Sequence, residues 1–283
     1  MNWYLIWGLG AALAWGTADY CAKHASEEFG FWPTVWGMNA VGAVALGLWW
    51  AAGGVSVQPE QWRWLGELGV GNTVGGIFFY YALEFGPLVL VSPITAAYPV
   101  VSAVLAFFIS GERLGPVMLL AVGGVIAGTL LASMGGQRNP AAAHPRRTSA
   151  LWAAVGGALV FGTVFYFLAA GAGASGTTAP VLVFRWVGAI LLALPLLAGR
   201  GLPLRALIGS RWLWATGLLD SFAYVLYATG ARHLQVSVVS ALSGLFSVWT
   251  LVLAVMFLRE RLGWRQWWGV GFIFASIALL AIK

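Results

Sequence analysis

Apolar runs of about twenty residues follow one another along the whole chain, broken only at proline, glycine or a charged cluster. A bilayer core about 30 Å thick is crossed by roughly 20 helical residues at about 1.5 Å each. Reading the breaks gives ten such segments, at 3–24, 31–52, 63–84, 88–110, 114–134, 149–171, 178–199, 211–232, 236–258 and 264–282. The expected fold is an all-α membrane protein with ten transmembrane helices. Composition closes off a soluble alternative: 60% of residues are apolar and 8% charged, too few polar groups to clothe a water-facing surface. The 17 Trp and 8 Tyr, many near the ends of the runs, suit an interfacial aromatic belt. The 38 Gly suit helices packed closely within lipid.

Other classes find little support. The net charge of +6 lies mostly in short loops, without the clustering a nucleic-acid surface needs. A single cysteine, Cys21, leaves no internal disulfide and no Cys-rich metal site. The N-terminus lacks a basic leader region and runs on past signal-peptide length, so it reads as the first membrane helix. His24, His144 and His233 are dispersed, and neither a phosphate loop nor a nucleophile elbow appears. No enzyme activity, metal, cofactor or ATP-driven step is expected. The tripeptide Asn139–Ala141 matches one that lines aquaporin pores, but it occurs once, in a polar linker, and is read as coincidence.

The chain repeats itself. Glu112, Arg113, Leu114 and Gly115 recur as Glu260, Arg261, Leu262 and Gly263, 148 positions later. Aligning 105–132 on 253–280 without gaps gives 10 identities in 28 positions. Gly16, Thr17 and Tyr20 recur as Gly162, Thr163 and Tyr166. The units expected are a first five-helix repeat at 1–134, a polar linker at 135–148 and a second repeat at 149–283. An odd number of spans per half makes the second half enter the membrane upside down. Two inverted repeats can form a site that faces each side in turn.

With these features the sequence resembles the drug/metabolite transporter superfamily, and within it the EamA-type proteins of ten helices. The resemblance rests on Trp15–Gly16 and on the run from Pro93 through Tyr98 and Pro99 to Gly111, Glu112, Arg113 and Leu114. Gly123, Gly128 and Arg185 add to it. In the second half Phe246 and Ser247 replace the Tyr-Pro pair, which weakens the expectation of a kink there. Gly37 and Met38 stand where Arg185 would align in the first half. The resemblance implies movement of small organic solutes, commonly amino acids, metabolites or drugs, through a central cavity.

Ionisable groups inside membrane spans are costly, so each is a candidate site. Asp220 lies midway along the eighth span and is read as a proton carrier, a cation partner or an ion-pair partner of Arg185. Arg185 could hold a substrate carboxylate bidentately. Its bland alternative is a packing lock with Asp220 or Asp19, or snorkelling to the interface. Asp19 is either interfacial, four residues before Lys23, or faces a vestibule beside Trp15. Candidate aromatic lining comes from Trp15, Tyr80, Tyr81, Tyr98, Phe161, Tyr166, Tyr224, Tyr227 and Trp249. Asp220, Tyr224 and Tyr227 form a stripe along one helix face, suited to an organic cation. Thr95, with Asn39, Asn72, Ser92, Ser240 and Ser243, makes up a set of small polar groups for lining the cavity or bonding to backbone.

The partners expected are a small-molecule solute, membrane lipid and, as coupling ion, protons; nucleic acid is not expected. Export of amino acids or related metabolites leads, with an organic-cation transporter or a lipid-linked carrier flippase as alternatives. The location expected is a cell membrane, the bacterial inner membrane in particular. Counting Lys and Arg by loop gives four on one side and ten on the other, Lys23 included. The richer side is expected in the cytoplasm.

Overall fold

The computed structural model describes residues 5–53, 59–110, 116–117, 119–120, 123–124, 127–128, 131, 145–198, 204–233, 242–259 and 262–281. Every regular element among them is helical. The first repeat gives α1 (Leu5–Phe29), α2 (Phe31–Ala51), α3 (Gln61–Phe85), α4 (Leu88–Thr95) and α5 (Tyr98–Ser110). The second gives α6 (Arg147–Ser175), α7 (Ala179–Ala198), the short α8 (Leu204–Gly209), α9 (Arg211–His233), α10 (Phe246–Phe257) and α11 (Trp264–Ala281). Helical backbone also recurs at 116–117, 119–120, 123–124, 127–128 and 131, along the expected fifth span. Glu112, Arg113, Glu260, Arg261 and Asn139–Ala141 lie outside the described residues.

Four helices, α1, α3, α6 and α9, outrun their apolar runs. α1 reaches Phe29, past the expected 24, because the helix continues through the polar turn that holds Glu27 and Glu28. Leu88–Ile109 and Arg147–Leu168 are long and apolar enough to cross a membrane, with mean hydropathy 2.0 and 1.9. Large apolar side chains also cover the outside of the bundle, among them Leu9 and Leu13 on α1, Leu194 and Leu197 on α7, and Val255 and Met256 on α10. An exterior bearing this many large apolar side chains matches lipid and not water.

Contacts recur in pairs across the two halves. Gly16 lies against the Phe246 carbonyl and Gly162 against the Tyr98 carbonyl, each so close that an added Cβ would stand 2.7 Å from the oxygen. Gly69 abuts Val187 as Gly217 abuts Val41, and Gly42 abuts Arg185 as Gly188 abuts Asn39. Thr17 donates to the Leu13 carbonyl at 2.8 Å, and Thr163 to that of Leu159 at 2.9 Å. The turns after α1 and α6 use Gly30 at φ 80° and Gly176 at φ 69°, a region that glycine enters without steric cost. Two registers relate the halves, 146 residues for the first two helices of each and 148 for those that follow. Asn39, and neither Gly37 nor Met38, is therefore the counterpart of Arg185. The two-residue shift between registers hid this from a single ungapped alignment.

Helix directions follow from the same contacts. Lys23 donates to the carbonyls of Leu83 and Gly86, while Asp19 meets Ser92, so α1 runs antiparallel to α4. Gly86 lies beside Ala150 and Gly162 beside Tyr98, so α6 runs parallel to α4 and α5. α6 thus points opposite to α1, its counterpart.

The helix of the fourth span breaks between α4 and α5 at Ala96 and Ala97. There Ala97 N–H donates to Ile94 and Val100 N–H to Ala97, three residues back instead of four, at 3.2 and 3.0 Å. Pro99 has no N–H to offer the Thr95 carbonyl, which favours a break at this point. In the second half Leu245 N–H donates to Leu242 and Val248 N–H to Leu245, again at 3.2 and 3.0 Å, in the equivalent register. This break has no proline. Replacing Tyr-Pro by Phe246 and Ser247 does not abolish it, because the close crossing by Gly16, mirrored by Gly162, is common to both halves.

Candidate functional site

Arg185 on α7 is buried with 1% of its side chain exposed, an expensive place for a guanidinium unless its donors are engaged. They are. Arg185 pairs with Asp220 of α9, its Nε donates to Ser221 Oγ at 3.0 Å, and its Nη1 meets Met38 Sδ at 2.9 Å. Its Cζ also lies over the Tyr224 ring, 5.2 Å from the centroid. Gly42 makes the space, since a Cβ there would stand 2.8 Å from Arg185 Cδ. Tyr224 donates its hydroxyl to Asn72 Oδ1 at 2.6 Å, tying α9 to α3. By register Asn72 is the counterpart of Asp220, and Asn39 that of Arg185: a charged pair in one half answers a pair of neutral amides in the other.

Aromatic rings fill the centre between the halves. Trp15 meets Tyr224 edge-on at 5.1 Å between centroids, Phe165 at 5.9 Å and Phe246 at 6.2 Å. Phe165 stacks on Tyr98 at 4.7 Å and on Tyr224 at 5.5 Å, and meets Tyr227 at 4.9 Å. Across the two helix breaks, the hydroxyls of Tyr98 and Ser243 are 2.9 Å apart. Tyr80 is buried in the same core.

Asp19 differs from Asp220. It lies one turn beyond Trp15 on α1 and is buried within the protein. Its Oδ2 accepts from Ser92 Oγ of α4 at 3.0 Å and from Thr250 Oγ1 of α10 at 3.2 Å. Among the described residues no cation contacts it. The neighbouring Lys23 is turned away: its Nζ donates to the carbonyls of Leu83 and Gly86 at 2.6 and 3.0 Å and pairs with Glu27 at 3.0 Å. Lys23 therefore caps the end of α3 from a buried position and is not a loop charge.

The structure gathers Trp15, Asp19, Tyr80, Tyr98, Arg185, Asp220, Tyr224 and Tyr227 at one centre, with Phe161 at its edge 6.5 Å from Phe165. Three candidates sit apart. Tyr81 bonds Ser149 at 3.0 Å near the helix ends, Tyr166 pairs with Phe167, and Trp249 is 37% exposed with its Nε1 donating to Thr17. Thr95 is buried at the α4 end, and its Oγ1 has no hydrogen-bond partner among the described residues. Phe165, Phe184, Ser221 and Thr250 belong to the centre and were not singled out in the sequence, and Phe246 and Met38 were named there for their alignment and not as site residues. Phe165 is an unremarked apolar residue among many, whereas Thr250 stands 231 residues from Asp19, a contact no helical period reveals.

Two stretches, residues 2–134 and 148–282, each match the family model described as the EamA-like transporter family. The chain belongs to the EamA-like transporter family. The two matches are its two repeats, and membership makes it an integral membrane protein of a family that transports small solutes. Among solved structures, one titled only as the crystal structure of a protein superposes with a TM-score of 0.66 at 21% identity, covering 99% of this chain and 97% of its own. That likeness supports the fold alone. No functionally curated protein matches this EamA-like chain significantly.

Proposed function

We propose that this EamA-like protein is a secondary transporter of small organic solutes that carry a protonated amine. It has ten transmembrane helices, arranged as inverted repeats at 1–134 and 149–283 about a linker at 135–148, in a bacterial inner membrane. The solutes are amino acids or related metabolites, exported by alternating access in which the repeats rock about the centre. Trp15, Asp19, Tyr80, Tyr98, Tyr224 and Tyr227 form the core of the solute site. Phe161, Tyr81, Tyr166, Trp249 and Thr95 flank it, and Arg185 and Asp220 hold it in shape. Protons are the coupling ion.

One observation carries this reading. Asp19 is a buried carboxylate whose contacts are two hydroxyls, beside an aromatic cluster. An anion so placed attracts a cation, and ring faces add about 0.5–2 kcal/mol per good contact. Arg185, by contrast, is already engaged by Asp220, Ser221 and Met38. That lock favours a second reading, a transporter of organic cations without a carboxylate.

Thermal stability of the purified protein separates the two. A ligand at about 100 times its dissociation constant stabilises by about 2.7 kcal/mol when it binds only the folded state. Amino acids and amines should both stabilise the wild type, and Asp19→Asn should abolish both effects. Stabilisation by amines alone selects the cation reading. Stabilisation by neither, or binding that survives Asp19→Asn, overturns the proposal.

A further inference from the structure

Six threonines in these helices dispose of their hydroxyls in the same way. Thr17, Thr34, Thr73, Thr163, Thr216 and Thr229 each donate to the carbonyl four residues back. Thr95 makes no such bond. It is 3% exposed, and its Oγ1 is buried without a partner among the described residues. An unpaired buried hydroxyl costs about 1–3 kcal/mol, so its retention calls for a cause.

The repeat supplies that cause. At the 148-residue register, Thr95 corresponds to Ser243 and Tyr98 to Phe246. Ser243 is joined to the Tyr98 hydroxyl at 2.9 Å. The reciprocal pair would be Thr95 with residue 246, but phenylalanine there has no hydroxyl. The two crossings are otherwise alike, with Gly162 on the Tyr98 carbonyl and Gly16 on that of Phe246. One half is latched by a hydroxyl pair and the other is not. Thr95 also lies one turn along α4 from Ser92, whose hydroxyl bonds Asp19 at 3.0 Å, and residues three apart share a helix face.

We propose that the Thr95 hydroxyl is a solute-binding group that accepts a hydrogen bond from the N–H of the protonated amine, and that phenylalanine at 246 keeps it free to do so. This rests on the function proposed above and deepens it, because it selects primary ammonium over quaternary ammonium. An amine with N–H donors satisfies both Asp19 and Thr95, whereas tetraethylammonium can satisfy only the charge.

The test measures binding of n-butylamine, L-leucine and tetraethylammonium to the full-length protein, in the wild type and in Thr95→Val, Thr95→Ser and Phe246→Tyr. The isosteric Thr95→Val should weaken n-butylamine or L-leucine by about tenfold, the worth of one hydrogen bond. It should leave tetraethylammonium unchanged and raise the melting temperature, since an unpaired hydroxyl has gone. Thr95→Ser should bind as the wild type does. Phe246→Tyr should supply the missing partner, weakening the amines with N–H and raising the melting temperature. Equal weakening of all three ligands by Thr95→Val, or a fall in its melting temperature, assigns the hydroxyl a structural role and overturns the inference. Unchanged binding in both Thr95→Val and Phe246→Tyr overturns it too, while leaving the function proposal standing. A wild type that binds none of the probes overturns the function proposal and this inference with it.

Discussion

Arg185 and Asp220 are worth more to each other than either is alone. Removing one partner of a buried pair leaves a charge without compensation, which costs about 3–5 kcal/mol in soluble proteins, whereas replacing both with apolar residues is often neutral. Asp220→Asn should therefore lower stability against denaturant by a few kcal/mol, and Arg185→Met with Asp220→Leu should recover most of it. A double variant as unstable as the single one would show that Ser221, Met38 and Tyr224 depend on the guanidinium itself. The pair was half-legible in the sequence, because a charge in an apolar span announces itself. The division of labour between the two aspartates was not. Asp19 reads as interfacial or as facing a vestibule, and its distance to Lys23 does not show that Lys23 turns away to cap α3. Phe165 was illegible for a different reason: in a chain this rich in apolar residues, a central ring and a lipid-facing ring look alike.

At the scale of single elements, the broken helices tell most. Proline predicts the break between α4 and α5, yet α10 begins after an equivalent break that has none. What the two share is a glycine of the crossing helix on a carbonyl at the break, a tertiary contact invisible to local propensity. Pro99→Ala should therefore leave the break in place and shift the melting temperature little. Gly16→Val should be costly, because its Cβ would meet backbone at 2.7 Å and cannot be relieved by a rotamer change. Overpacking of this kind costs about 1–3 kcal/mol. Spin-label distances across residues 90 and 105 would read the first variant, and denaturant unfolding the second. A straightened fourth span in Pro99→Ala would return the cause of that break to proline. The repeat itself was legible from glycines and the charged turn, but not its two registers, so the counterpart of Arg185 was misplaced by one or two residues.

At the scale of the whole molecule, the packing sorts basic residues by end of the bundle. Arg146 stacks over Phe85, one residue before the Gly86 carbonyl that Lys23 caps. Tyr20 touches Trp212, over which Arg211 lies, and also Phe257, two residues before Arg259. Lys23, Arg146, Arg211 and Arg259 thus gather at one end, while Arg63 starts α3 at the other and pairs with Glu67. Lys23 is buried and drops out of the loop count, leaving nine basic residues against four. A bias of that size, in short loops close to helix ends, is the kind that sets orientation during insertion. The richer end, with the linker at 135–148, should face the cytoplasm. A cysteine introduced as Ala142→Cys, in a chain also carrying Cys21→Ala, should react with a membrane-impermeant maleimide only after the cells are permeabilised. Labelling in intact cells would invert the assignment. It would place the basic end outside, so that residues such as Arg146 and Arg211 serve packing against Phe85 and Trp212 and not topology. Either result also fixes which side of the membrane Asp19 lies nearer to, because Asp19 lies one turn from the Lys23 cap at that same end.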